Sequence, residues 1–269
     1  MTDLDEKLKK LETIIAECEN LLVAFSGGVD STLLLKVAFD ILCENVLAVT
    51  FSGETHLPGE VREAAELARF LGVRHIIIEN QGLDNPDFTR NSPDRCYYCK
   101  KKEFNELFKI AVKHGIKVVA DGLNADDLKD YRPGIRAGQE LGVLSPLKDA
   151  GLTKEEIRVI SRRLRLPTAD KPANPCLASR FPYGTEITSE ALRKVRTAEE
   201  ILREMGIPQV RMRHHGNLAR IEVPKQYAGL VVENAERVVK CFKEIGYIYV
   251  TLDLQGYRTG SMNEALEKQ

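Results

Sequence analysis

The sequence lacks several features that would assign a functional class at once. Lys plus Arg (39) nearly equal Asp plus Glu (40), so a net charge of −1 offers no basic excess for nucleic acid or an anionic membrane. No run approaches the ~18 apolar residues of a membrane span, and the charged segment 1–10 lacks the apolar core of a signal peptide. Six cysteines over this length do not resemble a secreted disulfide framework. We therefore expect a soluble, cytoplasmic protein with no membrane partner.

Two common nucleotide motifs are also missing, since there is neither a Gly-Lys-Ser/Thr loop nor a Gly-x-Gly-x-x-Gly fingerprint. The stretch 21–32 instead reads LLVAFSGGVDST. Its apolar start predicts a buried parallel strand, its glycines a turn, and the apolar spacing from Leu33 to Ile41 a helix. A strand, a glycine turn and a helix N-terminus together suit phosphate, because backbone N–H groups and the helix dipole face the anion.

The residues SGGVDS over 26–31 resemble the PP-loop of ATP pyrophosphatases, enzymes that split ATP into AMP and pyrophosphate. The resemblance implies that Asp30 helps to hold Mg²⁺. The alternative is an ordinary tight turn between strand and helix. The residues that would contact phosphate are Ser26, Gly27, Gly28, Ser31 and Thr32.

Beyond the loop, predicted strands alternate with predicted helices. This order indicates an α/β fold with a doubly wound parallel sheet, in which ligands bind beyond the carboxyl ends of the strands. Ser52 and the segment 121–127 follow two such ends, so we expect Ser52 and Gly122 near the nucleotide and Asp126 near Mg²⁺. The alternatives are a strand-terminating serine and a capped helix start. The strands are predicted over 46–51, 74–78, 117–120 and 143–147, and the helices over 3–18, 58–71, 96–114 and 153–164. The last helix opens with the capping-box pattern Thr153-x-x-Glu156.

The pattern changes after the proline-rich stretch 167–182. We expect a PP-loop ATP-binding domain over 1–166, a linker over 167–188, and a second, smaller α+β domain over 189–269. The segment 80–95 is interpreted as a polar loop. Alternating residues predict strands over 209–213, 218–223 and 247–252.

Three cysteines form a second centre of chemistry. Cys96 and Cys99 make a Cys-x-x-Cys pair, and Cys176 lies in the irregular loop. The pair alone is compatible with a zinc half-site, a redox dithiol or two unrelated helix-start residues. Three thiolates can also hold three irons of a [4Fe–4S] cluster, whose fourth iron is open to hydrosulfide. The remaining cysteines, interpreted as packed bystanders, are Cys18, Cys43 and Cys241.

Taken together, four segments resemble the LarE family of PP-loop sulfur transferases. They are the loop 26–31, the segment PCLASR over 175–180, the pair Arg211-x-Arg213, and the tail 253–263. The resemblance implies an enzyme that adenylates a carboxylate of pyridinium-3,5-biscarboxylate mononucleotide and replaces oxygen by sulfur, in biosynthesis of a nickel-pincer cofactor. It implies ATP and Mg²⁺, a homo-oligomer, and sulfide or a sulfur-delivery system as partner.

The resemblance leaves two sulfur sources open. In one form of the family, the cysteine matching Cys176 gives up its own sulfur. In the other, cysteines matching Cys96, Cys99 and Cys176 hold a [4Fe–4S] cluster, and the presence of all three favours this form.

Arginines on one face of a strand suit the phosphate of a mononucleotide substrate. Arg211 and Arg213 alternate on a predicted strand and are assigned to that phosphate. Arg180 and Arg258 complete the anion site in this interpretation, and Glu222 orients an arginine or the pyridinium ring. The alternative for each arginine is a solvated surface position or an ion pair.

Three other functions remain open. PP-loop tRNA thiolases use the same adenylate chemistry, but residues 170–269 carry 15 Lys/Arg against 13 Asp/Glu, which is little for a tRNA-binding face. An amide-forming ligase of the NAD or GMP synthetase type explains the loop and leaves the three cysteines without a role. A nucleotide-sensing module without enzymatic activity assigns no role to the polar residues of the two predicted domains.

Overall fold

A computed structural model of the chain describes residues 2–80, 82–129, 132–172, 174–258 and 261. The chain forms two compact units. The first comprises Met1–Gln81 and Cys96–Ala173, and the second Gly82–Arg95 and Asn174–Gln269. The strands are β1 (Leu21–Ala24), β2 (Val46–Ser52), β3 (Arg74–Glu79), β4 (Val118–Ala120), β5 (Arg211–His215), β6 (Leu218–Glu222) and β7 (Tyr249–Leu252). The α-helices are α1 (Asp3–Ala16), α2 (Val29–Leu42), α3 (Pro58–Phe70), α4 (Pro86–Thr89), α5 (Arg95–Lys113), α6 (Pro133–Leu141), α7 (Pro146–Asp149), α8 (Lys154–Arg163), α9 (Ser189–Glu204), α10 (Ala228–Glu233) and α11 (Ala235–Glu244).

The first unit is built on a parallel sheet of four strands in the order β3-β2-β1-β4. Leu21 of the central strand β1 lies level with Val46 on one side and Val118 on the other. The register aligns the strand ends, so the chain leaves β1, β2 and β4 at the same edge of the sheet. This edge carries the PP-loop.

Helices cover both faces of this sheet. Leu21 and Val23 join a core with α1, α2, α3 and α8, whereas Leu22 joins a second core with α5 and α6. Successive residues of a strand point to opposite faces, so a strand covered on both sides must be apolar throughout. The α/β fold with a doubly wound parallel sheet, predicted from the sequence, is confirmed.

The strand predicted over Val143–Leu147 is absent as a strand. Only Leu144 forms a bridge, to Ala120 of β4, and α7 begins two residues later at Pro146. Proline has no N–H for a strand ladder, but its fixed backbone suits the first turn of a helix. The capping box predicted at Thr153 is present: its hydroxyl accepts from Glu156 N, and the Glu156 carboxylate accepts from Thr153 N.

The second unit contains a sheet of three strands in the order β5-β6-β7. β5 and β6 are antiparallel, and β6 and β7 are parallel. Residues of α9, including Leu192, Val195 and Leu202, are buried with Met212 of β5 and Ile221 of β6. Helix α9 and the sheet therefore both contribute buried side chains to this unit, as does α11 with Val238 and Phe242.

The segment Gly82–Arg95, which lies within the predicted loop 80–95, contains α4 and belongs to the second unit. Asn91 is fully buried in the left-handed region at φ 54°, and its Nδ2 donates to the carbonyls of Pro182 (2.7 Å) and Thr185 (2.9 Å). A short polar side chain tolerates this backbone conformation best among non-glycine residues. Within the described residues, no helix has both the length and the apolar character needed to cross a membrane.

Candidate functional site

The PP-loop joins β1 to α2, with Gly28 as the N-cap of the helix. Gly27 has φ +67°, and a Cβ there would lie 3.1 Å from the Cβ of Ala64, so this position suits only glycine. The hydroxyls of Ser26 and Ser31 lie 3.1 Å apart, and the Gly28 N–H donates to Ser26 Oγ over 3.3 Å. The serines thereby tie the loop into one conformation beside the N-terminus of α2.

Two other predicted nucleotide residues have structural partners. Ser52 Oγ donates to the Ile78 carbonyl of β3 over 3.3 Å. A Cβ on Gly122 would lie 3.0 Å from Ser31 N, so this glycine lets the chain after β4 approach the loop closely. Thr32 is fully buried, and its hydroxyl has no hydrogen-bond partner among the residues that the structure describes. Their contacts with ATP stay predictions.

Two lysines that the sequence analysis missed touch this loop. Lys171 Nζ donates to the carbonyl of Gly27 over 3.0 Å and to Glu63 over 2.9 Å. Lys154 Nζ pairs with Asp30 Oδ2, and the Asp30 Oδ1 accepts from Asn124 Nδ2 over 3.2 Å. Lys154 follows the predicted capping-box residue Thr153 directly, which places it in the first turn of α8.

The carboxylates predicted for Mg²⁺ fit a cation chemically. Asp30 carries the ammonium of Lys154, and Asp126 accepts from Lys154 N and Lys129 Nζ, both over 2.9 Å. The backbone bond from Lys154 is the main reason why the pKa of Asp126 lies below its ordinary value. Asp30 therefore already binds a positive charge beside the loop.

The two cysteines of the Cys-x-x-Cys pair lie in the first turns of α5, three residues apart, which places them on one face of the helix. Cys96 is exposed and Cys99 is half-buried. The Cys99 thiol donates to Glu103 Oε1 over 3.6 Å. Glu103, in turn, accepts from Lys100 Nζ (2.8 Å) and Asn80 Nδ2 (3.0 Å). Cys99 thus borders a polar cluster in which Glu103 is buried and Lys100 is half-exposed.

Opposite charges in that cluster stabilise one another. Burial raises the pKa of Glu103, but the charge and hydrogen bond of Lys100 outweigh it, and the pKa lies below its ordinary value. The charge of Glu103 in turn raises the pKa of Lys100 well above its usual range, against the effect of burial. Both groups are ionised near neutral pH.

Cys176 is exposed on a loop whose backbone is held by buried arginines of the second unit. Arg180 Nη1 donates to the carbonyls of Pro175 (2.6 Å) and Cys176 (3.3 Å). Arg95 Nη1 donates to the carbonyl of Ala178 over 2.9 Å. The thiol is therefore accessible on a backbone with fixed hydrogen bonds.

Arg180 itself is fully buried and forms a bidentate pair with Glu199. Its Nε and Nη2 lie 2.7 and 3.0 Å from the two carboxylate oxygens, and Glu199 also accepts from Arg203 and from Met212 N. A direct contact of Arg180 with substrate phosphate stays a prediction, and these partners favour a positioning role instead. Glu199 was missed, although a carboxylate among the apolar positions 195, 198 and 202 of one helix face signals a buried counter-ion.

Arg211 and Arg213 point to one side of β5, as their alternation predicts. Arg213 Nη2 donates to Glu222 (2.7 Å) and Ser261 Oγ (2.8 Å), and the predicted role of Glu222 in the substrate site stays a prediction. Arg211 stacks over Tyr257 at 5.2 Å, and burial, with the nearby charge of Arg180, lowers the pKa of Arg211 to about 10.

The Nε of Arg213 is buried and has no hydrogen-bond partner within the described part of the chain. Arg258 donates to the carbonyl of Gly256 over 3.2 Å. The contacts of Arg211, Arg213 and Arg258 with substrate stay predictions. In the predicted tail, residues 259, 260, 262 and 263 lie outside the described residues.

The three cysteine thiols suit iron by their chemistry; Cys96 and Cys99 belong to the first unit and Cys176 to the second. Over the described ranges, no three His, Cys, Asp or Glu side chains are arranged to hold a metal ion. The iron–sulfur cluster therefore remains a hypothesis.

Comparison with known proteins points to the same class of protein as the loop. The family model described as queuosine biosynthesis protein QueC matches residues 20–92, which include the PP-loop. An uncharacterized protein of Synechocystis sp. is 45% identical over 98% of this chain and 100% of its own. The tRNA-specific 2-thiouridylase MnmA of Leptospira biflexa is 26% identical over 58% of this chain and 51% of its own.

A third relative covers the whole chain and carries a named activity. The pyridinium-3,5-bisthiocarboxylic acid mononucleotide synthase of Lactiplantibacillus plantarum is 39% identical over 100% of this chain and 98% of its own. The parallel sheet and its SGGVDS loop define a PP-loop enzyme of the class that includes the ATP-dependent sulfur transferases. Within that class, the chain belongs to the LarE family, the family of the pyridinium-3,5-bisthiocarboxylic acid mononucleotide synthases. The family predicted from the sequence is confirmed.

Proposed function

We propose that this enzyme uses ATP to adenylate a carboxylate of pyridinium-3,5-biscarboxylic acid mononucleotide and then replaces an oxygen of that carboxylate by sulfur. The identity of 39% over the full chain with a named synthase carries the proposal. The PP-loop and the accessible thiol of Cys176 are the two features of the structure that the reaction requires.

In the first step, a carboxylate oxygen of the substrate attacks the α-phosphorus of ATP, and pyrophosphate leaves. The loop's N–H groups and the dipole of α2 hold the departing pyrophosphate. Asp30 and Asp126, which both contact Lys154, would hold Mg²⁺, and the ion would neutralise phosphate charge. The product is an acyl adenylate, in which the former carboxylate oxygen belongs to a good leaving group.

In the second step, sulfur forms a bond to the acyl carbon and AMP leaves with the oxygen. The substrate's own phosphate is held by Arg211 and Arg213, whose guanidiniums match phosphate oxygens pairwise. Glu222 keeps Arg213 in place through the 2.7 Å ion pair. Arg180 positions Cys176 through its two backbone carbonyl contacts.

The source of the sulfur has two forms within the proposal. Cys96, Cys99 and Cys176 would hold a [4Fe–4S] cluster that delivers sulfide supplied from outside, and all three thiols are present. Alternatively, Cys176 gives its own sulfur: its Cβ–Sγ bond breaks, the Cα proton leaves, and dehydroalanine remains. Iron and acid-labile sulfide, measured on protein purified without oxygen, separate the two forms, with Cys99→Ala as the comparison.

The reaction is tested by incubating the protein with ATP, Mg²⁺, sulfide and the biscarboxylate mononucleotide. We expect AMP, pyrophosphate and a product in which sulfur replaces oxygen by mass. Cys176→Ser should stop sulfur transfer, whereas Cys43→Ser, at another exposed cysteine, should not. Release of pyrophosphate that is independent of the mononucleotide would contradict the proposed acceptor.

A tRNA thiolase is the second candidate, favoured only by the partial match to MnmA proteins. It predicts retention of bulk tRNA at low salt, with strong weakening as the salt concentration rises. Absence of retention at low salt would exclude it.

The chain's partners are proposed to be the mononucleotide and a sulfur-delivery system, with no nucleic acid. We also propose a homo-oligomer, with the C-terminal residues 189–269 as its contact. Light scattering on the purified protein measures its mass, and a monomer at micromolar concentration would contradict this assembly.

A further inference from the structure

One lysine contacts both carboxylates that are proposed to serve Mg²⁺. The ammonium of Lys154 pairs with Asp30, and the backbone N–H of the same residue donates to Asp126 Oδ2 over 2.9 Å. Asp126 thereby fixes the first turn of α8, and this turn presents the ammonium to the PP-loop. The side chains of Lys154 and Asp30 are 34% and 21% exposed, so the pair is partly shielded from water.

The ammonium and a divalent cation compete for the same carboxylate. Asp30 Oδ1 is already shared with Asn124 and Oδ2 with Lys154, so a metal ion must displace or join a like charge. At this degree of burial, the repulsion between two cations at a few Å is only partly screened. A triphosphate changes the balance, because its oxygens accept both the metal ion and the ammonium.

We propose that Lys154 makes metal binding at Asp30 conditional on nucleotide. Without ATP, its ammonium occupies Asp30. When Mg²⁺ and ATP bind together, the ammonium transfers to a phosphate oxygen and leaves the carboxylate to the metal ion. This inference rests on the proposed ATP site and adds an order of binding to it.

Thermodynamic linkage makes the coupling measurable from either side. If ATP strengthens metal binding by some factor, metal must strengthen ATP binding by the same factor, and typical couplings are about 5- to 150-fold. Replacing Lys154 by methionine removes the competitor and the phosphate contact together. Metal alone should then bind more tightly, ATP alone more weakly, and the coupling factor should fall several-fold.

The test measures Mn²⁺ by electron paramagnetic resonance, with and without α,β-methylene-ATP, which the enzyme cannot cleave. Wild type, Lys154→Met, Lys154→Arg and Lys7→Met are compared. Lys7 of α1 pairs at 2.7 Å with Glu156 of α8, the helix that also carries Lys154. The two side chains are 26% and 23% exposed, so Lys7→Met removes a similar ion pair that does not involve Asp30. We expect Lys7→Met to keep the wild-type coupling and Lys154→Arg, which retains the charge, to keep most of it.

The possible outcomes distinguish failure of this inference from failure of the proposed ATP site on which it rests. Wild-type protein that binds no nucleotide would overturn the proposed ATP site itself. Wild-type binding with the same coupling factor in Lys154→Met, within twofold, would overturn the role of Lys154 alone. If Lys154→Met no longer binds nucleotide, the affinity for Mn²⁺ in the absence of nucleotide tests the inference. Tighter Mn²⁺ binding than in the wild type supports competition between the ammonium and the metal ion for Asp30, and unchanged Mn²⁺ binding refutes it. Thermal melting shows whether each variant is folded.

Discussion

Replacing Arg180 by leucine should cost the second unit about 3 to 4 kcal/mol of stability. Both Arg180 and Glu199 have fully buried side chains, and the change strands a carboxylate that loses donors at 2.7 and 3.0 Å. Loss of one partner of a buried pair costs about 3–5 kcal/mol. Glu199 keeps Arg203 and Met212 N, which places the expected loss toward the lower end of that range.

Hydrogen exchange of peptides from α9 and β5 measures the loss in the unit concerned, because a chain of two units need not unfold in one step. Arg162→Leu is the matched control, measured on peptides from its own helix α8: the pair of Arg162 with Asp170 spans 2.8 Å between exposed side chains and should be worth less than about 1 kcal/mol. A similarly small loss for Arg180→Leu would refute the reasoning.

The same variant should also have a distinctive pH dependence. In the wild type, the charge of Arg180 outweighs burial, and the pKa of Glu199 lies below its ordinary value. Without Arg180, burial prevails and the pKa rises. When a carboxyl pKa is raised in the folded state, the folded state gains stability as the pH falls toward that pKa. The stability that Arg180→Leu loses relative to the wild type should therefore become smaller from pH 7 to about pH 5. Arg180→Leu combined with Glu199→Gln should show no narrowing, and a constant deficit in the single variant would contradict the assignment.

Three further changes test other parts of the molecule. Gly122→Ala brings a Cβ to 3.0 Å from Ser31 N, an overpacking that costs ~1–3 kcal/mol. It should therefore weaken ATP binding, measured by calorimetry, by about tenfold. Gly229→Ala, with open space around it, should leave ATP binding unchanged. Thr153→Ala removes the cap of α8 and should lower stability to denaturant by about 1 kcal/mol, whereas serine at this position should restore it. Arg213→Ala should raise the KM for the mononucleotide and leave the Kd for ATP intact. Unchanged kinetics would remove Arg213 from the substrate site.

The sequence could predict what depends on local pattern. The apolar runs of β1 and β2, the glycine turn before α2 and the capping box at Thr153 each follow from a few neighbouring residues. Together they were enough for the fold class and for the position of the phosphate loop.

What depended on distant partners could not be predicted. Nothing near Lys154 in the sequence indicates that its ammonium meets Asp30, and nothing near Glu199 names Arg180 as its partner. The segment Gly82–Arg95 appeared as a polar loop because its buried asparagine finds its acceptors only about 90 residues later. Such contacts depend on tertiary packing, which periodicity does not report.

That same segment has a consequence for synthesis on the ribosome. Gly82–Arg95 emerges long before the residues from Asn174 onward that complete its unit. At about 5–20 residues per second, Asn91 waits roughly 5 to 20 seconds for the carbonyls of Pro182 and Thr185. For most of this interval the first unit is also incomplete, because β4 and the helices after it follow the segment in the chain. The nascent chain therefore carries, between β3 and β4, a polar stretch that still lacks its native partners. We expect this stretch to be the part most open to proteases and chaperones while the protein is being made.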